Sequence, residues 1–169
     1  MRTLDEQGPR APEPGRVGVR RAAGADAAAL VPLLAALGYP TEPAAVAARL
    51  GALLDSGRDA VLVAEEAEGG AVLGVLALHW GVMLHQPAAV ARIGSLAVAE
   101  AARGRGVGAA LVREAAALAR AEGCAVLELT TGRQRQAAHA FYVAQGFEWT
   151  ALRFGRALGG EDGTEAPRR

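Results

Sequence analysis

The stretch Arg103-Gly104-Arg105-Gly106-Val107-Gly108 decides how the rest of this sequence is interpreted. It lies between an apolar run, Ile93-Gly94-Ser95-Leu96-Ala97-Val98, and a pattern that predicts a helix from Val107 to about Ala121. Glycine at every second position lets the backbone take φ > 0 and approach a ligand closely. The helix adds unpaired N–H groups and the positive end of its dipole. This stretch, called the glycine turn below, therefore predicts an anion site between a strand and a helix, and phosphate is the usual anion there.

Composition limits the classes of protein to which the chain can belong. Its 169 residues favour one domain, expected over 16–157, between Pro-, Gly- and charge-rich tails at 1–15 and 158–169 that we expect to be disordered. A formal net charge of zero predicts no general attraction to nucleic acid or to an anionic membrane. All basic residues are arginine, which excludes a lysine nucleophile and a P-loop lysine.

The cysteine and histidine content indicates the compartment and argues against a metal site. The single cysteine, Cys124, cannot form an internal disulfide, so a reducing cytoplasm is expected. No apolar run is long enough to span a bilayer, and no secretory leader is apparent. The three histidines are scattered, so no metal-ligand spacing exists.

Hydrophobic patterning and breaker residues predict ten elements in the order β-α-α-β-β-β-α-β-α-β. Predicted strands are 17–21, 60–65, 71–79, 91–98, 125–131 and 147–154, with a hairpin turn at Glu68-Gly69-Gly70 and a loop at 80–88. Predicted helices are 26–37 with Asp26 as cap, 42–55 with Thr41 as cap, 107–121, and 134–145 stopped by Gly146. This order predicts a mixed sheet with helices on its faces, of the α/β or α+β class.

The glycine turn is compatible with two cofactors. Gly104-x-Gly106-x-x-Ala109 satisfies the dinucleotide fingerprint, with Glu128 in place for the ribose of NAD. Against that interpretation, residues 99–103 separate the first glycine from its strand, and Glu128 falls inside a strand. Too little chain follows for a second nucleotide-binding half.

The alternative uses more of the chain. Arg103-x-x-Gly106-x-Gly108 matches the Arg/Gln-x-x-Gly-x-Gly/Ala signature of the GCN5-related N-acetyltransferase (GNAT) superfamily. Residues 138–147, Ala-His-Ala-Phe-Tyr-Val-Ala-Gln-Gly-Phe, resemble its late helix motif, Ala-x-x-Phe-Tyr-x-x-x-Gly-Phe. Leu37-Gly38-Tyr39-Pro40 resembles the turn between its first two helices, and the resemblance covers about 17–156.

This resemblance implies the acyl-CoA N-acyltransferase fold. Its mixed, mostly antiparallel sheet is splayed between strands 4 and 5, and helices cover both faces. The implied ligand is acetyl-CoA, with its pyrophosphate on the glycine turn and its pantetheine arm along the fourth strand, which bulges. The implied contacts are Leu96, Ala97, Val98, Arg103, Gly104, Arg105, Gly106, Val107, Gly108 and Ala109, with Arg135, Ala138, Phe141 and Tyr142 from the late helix motif. Position 135 is often asparagine in the family but is arginine here.

The resemblance also implies a mechanism. A primary amine of a small molecule attacks the thioester directly in a ternary complex, the Leu96 N–H stabilises the oxyanion, and Tyr142 protonates the leaving sulfur. The fourth strand often carries a carboxylate base in this family, but this chain has Gly94 and Ser95 there. Glu65, Glu66, His79 and His85 remain candidate bases acting through water.

Two loops border the acceptor pocket in related proteins. They correspond here to Tyr39 and to His79, Trp80 and His85, which we expect to face the substrate. Dimers are common in the family, although no apolar helix face in this sequence demands one. A non-catalytic acyl-CoA-binding sensor on the same fold remains the main alternative, and an NAD-binding protein is the other.

Overall fold

The computed structural model describes residues 17–66, 70–151 and 153–155. Its strands are β1 (Val17–Arg21), β2 (Asp59–Glu66), β3 (Val72–Gly81), β4 (Ala89–Val98) and β5 (Cys124–Leu129). Its α-helices are α1 (Ala27–Ala36), α2 (Pro43–Asp55), α3 (Val107–Ala121) and α4 (Gln136–Ala144). The predicted tails at 1–15 and 158–169 lie outside the described residues, as do Glu68 and Gly69 of the predicted hairpin turn.

The chain divides into two units, the first ending at Leu127 and the second beginning at Glu128. Each unit is described by itself below, and the assignment of 16–157 to a single domain stays a prediction. In the described residues no helix is both long enough and apolar enough to cross a membrane.

The sheet has the strand order β1-β2-β3-β4-β5. The first four strands pair antiparallel, with Val19 opposite Ala64 and Val63 opposite Val75. Because α3 connects β4 to β5 as a crossover, β5 runs parallel to β4. The prediction of a mixed, mostly antiparallel sheet is confirmed.

Both faces of the sheet in the first unit carry helices, as predicted. Val61, Val63 and Val75 form one buried cluster with residues of α1 and α2 such as Leu33 and Leu50. Neighbouring residues of a strand point to opposite faces, so Gly74 faces the other side. A Cβ atom built at Gly74 would lie 3.1 Å from side-chain atoms of both Val107 and Leu111, which shows that α3 packs closely on that second face.

One predicted helix cap is right in position only, and the other is wrong. Asp26 is the N-cap residue of α1, as predicted, but its side chain makes no capping hydrogen bond. Asp26 ends a short 3-10 turn (Gly24–Asp26), and its carboxylate accepts from the backbone N–H of Ala23, 2.7 Å away, and from Arg20. The carboxylate therefore points back toward β1 and does not cap α1. Thr41 donates its hydroxyl to the Tyr39 carbonyl at 3.1 Å, so Glu42 takes the N-cap position of α2.

The predicted strand at 147–154 is also wrong: residues 147–151 and 153–155 contain no strand. The aromatic and β-branched residues there have strand propensity, but a strand forms only where a neighbouring strand supplies ladder partners. Trp149 and Phe154 are 72% and 92% exposed. At the other predicted boundary, β3 continues through Trp80 and Gly81, which shortens the predicted loop of 80–88 to 82–88.

Candidate active site

A β-bulge interrupts β4 in the middle of the sheet. Ser95 lies opposite Ala77 and Ile93 lies opposite Leu78, so Gly94 is the extra residue. Bulges bend a strand and release backbone groups from the regular ladder. The expectation that the fourth strand bulges is therefore confirmed, and the bulge directly precedes Leu96.

The backbone of the glycine turn reaches α3 through two left-handed residues. Gly104 has φ = 76° and Gly106, the N-cap of α3, has φ = 80°. A Cβ atom at either position would meet nothing within 4 Å, so the positive φ angle, and not crowding by the protein, requires glycine there. The open space beside both glycines is where a ligand can approach the backbone.

Several N–H groups of the turn remain available. Arg103 donates to the Glu100 carbonyl at 3.1 Å, and Ala110 donates to the Gly106 carbonyl at 2.9 Å. In the part of the chain that the structure describes, no backbone–backbone hydrogen bond uses the N–H groups of Gly104, Gly106, Val107, Gly108 or Ala109. These donors, at the N-terminus of a helix that runs from Val107 to Ala121, form a site suited to phosphate oxygens.

The two arginines of the turn differ in their surroundings. Arg103 is exposed. Arg105 donates from Nη2 to Oε1 of Glu66, the last residue of β2, at 2.6 Å. The sequence alone predicts Arg105 as a phosphate ligand and Glu66 as a candidate base, and it gives no signal that the two residues pair.

Glu65, the candidate base next to Glu66 in β2, also binds an arginine. Glu65 is 5% exposed and accepts from Nε of Arg20 at 2.9 Å. The same arginine donates from both terminal nitrogens to Asp26. Its hydrogen bonds hold the pKa of the Asp26 carboxyl below its ordinary value, although burial acts in the opposite direction. This network joins β1, β2 and the turn before α1, and we assign it to stability.

A third polar cluster lies at the opposite end of β2. Nδ1 of His79 is 3.0 Å from Oδ1 of Asp59, its cross-strand neighbour. The Ser56 hydroxyl donates to Oδ2 of the same carboxylate at 2.5 Å and accepts from the Arg58 N–H at 3.2 Å. The His79 side chain is 60% exposed and Asp59 is 15% exposed, so the carboxylate is largely enclosed and the imidazole reaches solvent.

The remaining residues predicted to face the substrate separate into two environments. His85 is exposed on the loop at 82–88, and Tyr39 is half-buried in the turn after α1. Trp80 is 8% exposed and follows His79 in β3, so its side chain lies in the core on the opposite face of the sheet. The structure therefore leaves its indole little surface for a substrate.

The second unit contains the aromatic residues of the late helix motif. Tyr142 of α4 makes edge-to-face contacts with Phe141 and Phe147, at centroid distances of 5.2 and 5.7 Å. Burial raises the pKa of the Tyr142 phenol, and the charge of Arg135 opposes that shift. Gly146, at φ = 84°, ends α4 as predicted, and the Phe147 N–H donates to the Tyr142 carbonyl at 3.0 Å.

Three further residues of the second unit lie in or next to α4. His139 Nε2 lies 2.9 Å from the Gly132 carbonyl, a distance at which it donates a hydrogen bond. Arg135 is exposed at the N-cap of α4, and Ala138 is half-buried within that helix. The described residues contain no group of three or more His, Cys, Asp or Glu side chains that could hold a metal ion.

Comparison with known proteins gives consistent matches. The model of the acetyltransferase (GNAT) family matches residues 33–147. Aminoalkylphosphonate N-acetyltransferase of Salmonella typhimurium is 35% identical over 89 residues, which are 53% of this chain and 58% of that protein. The match thus spans less than two thirds of the relative.

Solved structures agree on the fold. A transcriptional regulator from Bacillus halodurans superimposes with a TM-score of 0.76 at 26% identity, over 85% of this chain and 100% of that one. An aminoglycoside N-acetyltransferase solved in complex with CoA gives a TM-score of 0.75 at 19% identity, over 90% and 99% of the two chains. The second likeness shows the fold alone.

Proposed function

Because the chain belongs to the acetyltransferase (GNAT) family, we propose that it transfers an acetyl group from acetyl-CoA to a primary amine of a small molecule. The observation that carries this proposal is the glycine turn, whose N–H groups without a backbone partner lie at the N-terminus of α3, a few residues after the bulged strand β4. A phosphate-binding turn alone is compatible with many cofactors. The bulge of β4 releases backbone groups from the ladder, and these groups suit an extended acyl carrier such as the pantetheine arm. The reducing, cytoplasmic location expected from the cysteine content belongs to the same proposal.

The residues of the first unit fit the diphosphate and the pantetheine arm of acetyl-CoA. The N–H groups of Gly104, Gly106, Val107, Gly108 and Ala109 would hold the diphosphate, and a side chain in place of either left-handed glycine would enter the open space that they face. Arg103 and Arg105 add positive charge. The backbone of Leu96, Ala97 and Val98 would hydrogen-bond the pantetheine amides as an added strand does.

The second unit contributes the residues of the late helix motif to this proposal. We assign Arg135, Ala138, Phe141 and Tyr142 to contacts with acetyl-CoA. Their assignment rests on the match of residues 138–147 to the family motif. The exposed guanidinium of Arg135 suits a phosphate oxygen better than the asparagine common at this position.

Two groups would then assist the transfer. When bound, acetyl-CoA supplies a thioester whose carbonyl carbon accepts an amine. The Leu96 N–H donates to the oxygen of that carbonyl as negative charge develops there. Tyr142 would hold a proton for the departing sulfur, since a phenol with an ordinary pKa of about 10 is protonated at neutral pH and burial raises the pKa of this one further.

The acceptor class follows from a curated relative. The Salmonella typhimurium protein at 35% identity acts, by its name, on aminoalkylphosphonates. We propose a small primary amine of this kind as the first acceptor to test. We assign Tyr39, His79 and His85 to the acceptor side. Trp80 would reach a substrate only if its buried indole left the core.

Calorimetric titration with acetyl-CoA tests the proposal through a substitution in the glycine turn. In Gly108→Asp, the new carboxylate lies in the first turn of α3, where it suits the helix dipole but repels phosphate. We expect acetyl-CoA to bind the unsubstituted protein and the heat of binding to disappear in the variant. Thermal unfolding of each variant establishes that it is folded.

Gly24→Asp is the matched control, because Gly24 is exposed, begins another helical turn and has nothing within 4 Å of its built Cβ. This variant should bind acetyl-CoA like the unsubstituted protein. Parallel titration with NAD tests the dinucleotide alternative, and NAD binding without acetyl-CoA binding would overturn the proposal. Binding of acetyl-CoA with no thiol release from any amine would favour the sensor alternative.

A further inference from the structure

We propose that His79, oriented by Asp59 and Ser56, is the general base that deprotonates the acceptor amine, with Nε2 of His79 as the proton acceptor. This inference rests on the proposed function, since it assigns the general base of that reaction. The four candidate bases from the sequence have different surroundings in the structure. Glu65 and Glu66 each bind an arginine, and His85 is exposed on a loop, whereas His79 is oriented by a carboxylate.

The orientation of the imidazole follows from the hydrogen bonds. A carboxylate only accepts, so the 3.0 Å contact with Asp59 requires a proton on Nδ1 of His79. The neutral ring then has a lone pair on Nε2. Both oxygens of Asp59 are engaged, one by His79 and one by Ser56, so the carboxylate is fixed in direction. The Arg58 N–H in turn holds the Ser56 hydroxyl, which completes a chain of oriented groups.

The neighbours of His79 along β3 leave its ring open. Ala77 and Gly81 lie two residues away on either side, on the same face, and both are small. A Cβ atom built at Gly81 would lie 3.9 Å from Nε2 of His79. The nitrogen that accepts the proton therefore lies next to a residue that has no side chain. Glycine at position 81 presents no side chain to Nε2, whereas the side chain of a larger residue there would adjoin that nitrogen.

The register places His79 near the bulge of β4. Ala77 lies directly opposite Ser95, the residue after Gly94, and His79 lies two residues farther along β3 on that face. Two residues of a strand span about 7 Å, so His79 lies one side-chain row from the bulge, and a short chain of water molecules would connect Nε2 to an amine held there. The charged residues flanking His79 in the neighbouring strands are Asp59 of β2 and Arg92 of β4.

The transfer of protons and electrons balances. One proton leaves the ammonium nitrogen of the acceptor, crosses the water and ends on Nε2 of His79, and from there it is released to solvent. The amine keeps the electron pair and forms the C–N bond, and the C–S bond breaks with its pair on sulfur. Sulfur takes the proton of Tyr142, and the second proton lost by nitrogen as the amide forms restores that phenol. Asp59 stabilises the imidazolium but gains no proton.

The test uses the full chain with acetyl-CoA and aminomethylphosphonate as the probe amine. In His79→Gln we expect kcat/KM for the amine to fall about 100-fold or more, the usual contribution of a general base. Asp59→Asn should lower kcat/KM about tenfold, as the loss of an orienting carboxylate does. Ser56→Ala should have a smaller effect, and acetyl-CoA binding should stay unchanged in all three variants.

Asp55→Asn is the matched control, because Asp55 is exposed at the end of α2 in the same segment. Its kcat/KM should equal that of the unsubstituted protein. A structural measurement independent of turnover is the two-bond ¹H–¹⁵N spectrum of the imidazoles in the free protein. It should show His79 protonated on Nδ1, and this preference should be lost in Asp59→Asn.

The outcomes separate this inference from the proposed function. Unchanged kcat/KM in His79→Gln, or a proton on Nε2 of neutral His79, would overturn the assignment of His79 as the general base. Either result would leave the acetyltransferase proposal intact. If the unsubstituted protein binds no acetyl-CoA, or binds it without acetylating any amine, both proposals are wrong.

Discussion

At the scale of single residues, Tyr142 offers the sharpest separation between an enzyme and a sensor. Its ring packs edge-to-face between Phe141 and Phe147, and phenylalanine would preserve these contacts. We therefore expect Tyr142→Phe to leave stability and acetyl-CoA affinity nearly unchanged but to lower kcat at least 100-fold, since only the transferable proton is lost. Steady-state kinetics with thiol detection, beside calorimetry, measure the two quantities. Equal kcat in both proteins would show that the phenol serves packing alone.

At the scale of elements, the pair Arg105–Glu66 links the glycine turn to the end of β2. Both side chains are more than a third exposed, so water and salt screen the pair and its contribution is small. Its importance lies in competition, because Glu66 occupies a guanidinium that phosphate oxygens would otherwise use.

We expect Glu66→Gln to lower the Kd for acetyl-CoA about two- to fivefold, which corresponds to the modest free energy of an exposed ion pair. Added salt should reduce the difference between the two proteins. Glu114→Gln, an exposed position within α3, is the control and should bind as the unsubstituted protein does. Calorimetry at two salt concentrations makes the measurement. A weaker affinity in Glu66→Gln would mean that Glu66 positions Arg105 for the ligand and does not compete with it.

At the scale of the whole molecule, the Arg20 network should control stability toward acid. The pKa of Asp26 is lowered in the folded state, so its carboxylate stabilises the fold above the ordinary carboxyl range and that stabilisation is lost as the pH falls below about 4. We expect Asp26→Asn to lower the free energy of unfolding by about 1–3 kcal/mol at pH 7. The difference should shrink at pH 3.

Urea unfolding at both pH values measures this effect, with Asp55→Asn as the control, expected within about 0.5 kcal/mol of the unsubstituted protein. A deficit in Asp26→Asn that is the same at pH 7 and pH 3 would contradict the linkage to the carboxylate. It would indicate instead that the amide disturbs packing around this buried residue.

The sequence alone determined the features that depend on local geometry. The limits of α3, the left-handed glycines at 104 and 106, and the end of α4 at Gly146 follow from helical periodicity and from the φ angles that only glycine adopts readily. The order of the elements along the chain from β1 to α4, and the family, also followed from local motifs. These signals span a few residues each and need no knowledge of what packs against them.

Only the tertiary structure decided which side chains meet across the sheet. Arg105 binds Glu66 across 39 positions, and His79 binds Asp59 across 20. The second pair depends on the register of β2 and β3, because a slip of one residue would turn a side chain to the opposite face of the sheet. The first pair forms because the fold brings the glycine turn to the end of β2. The Asp26 carboxylate binds the Arg20 guanidinium and not the first N–H groups of α1, because a charged, bidentate partner binds it more strongly than those N–H groups do. Residues 147–151 and 153–154 form no strand, because strand propensity acts only where a ladder partner is present, and no local pattern reports that partner.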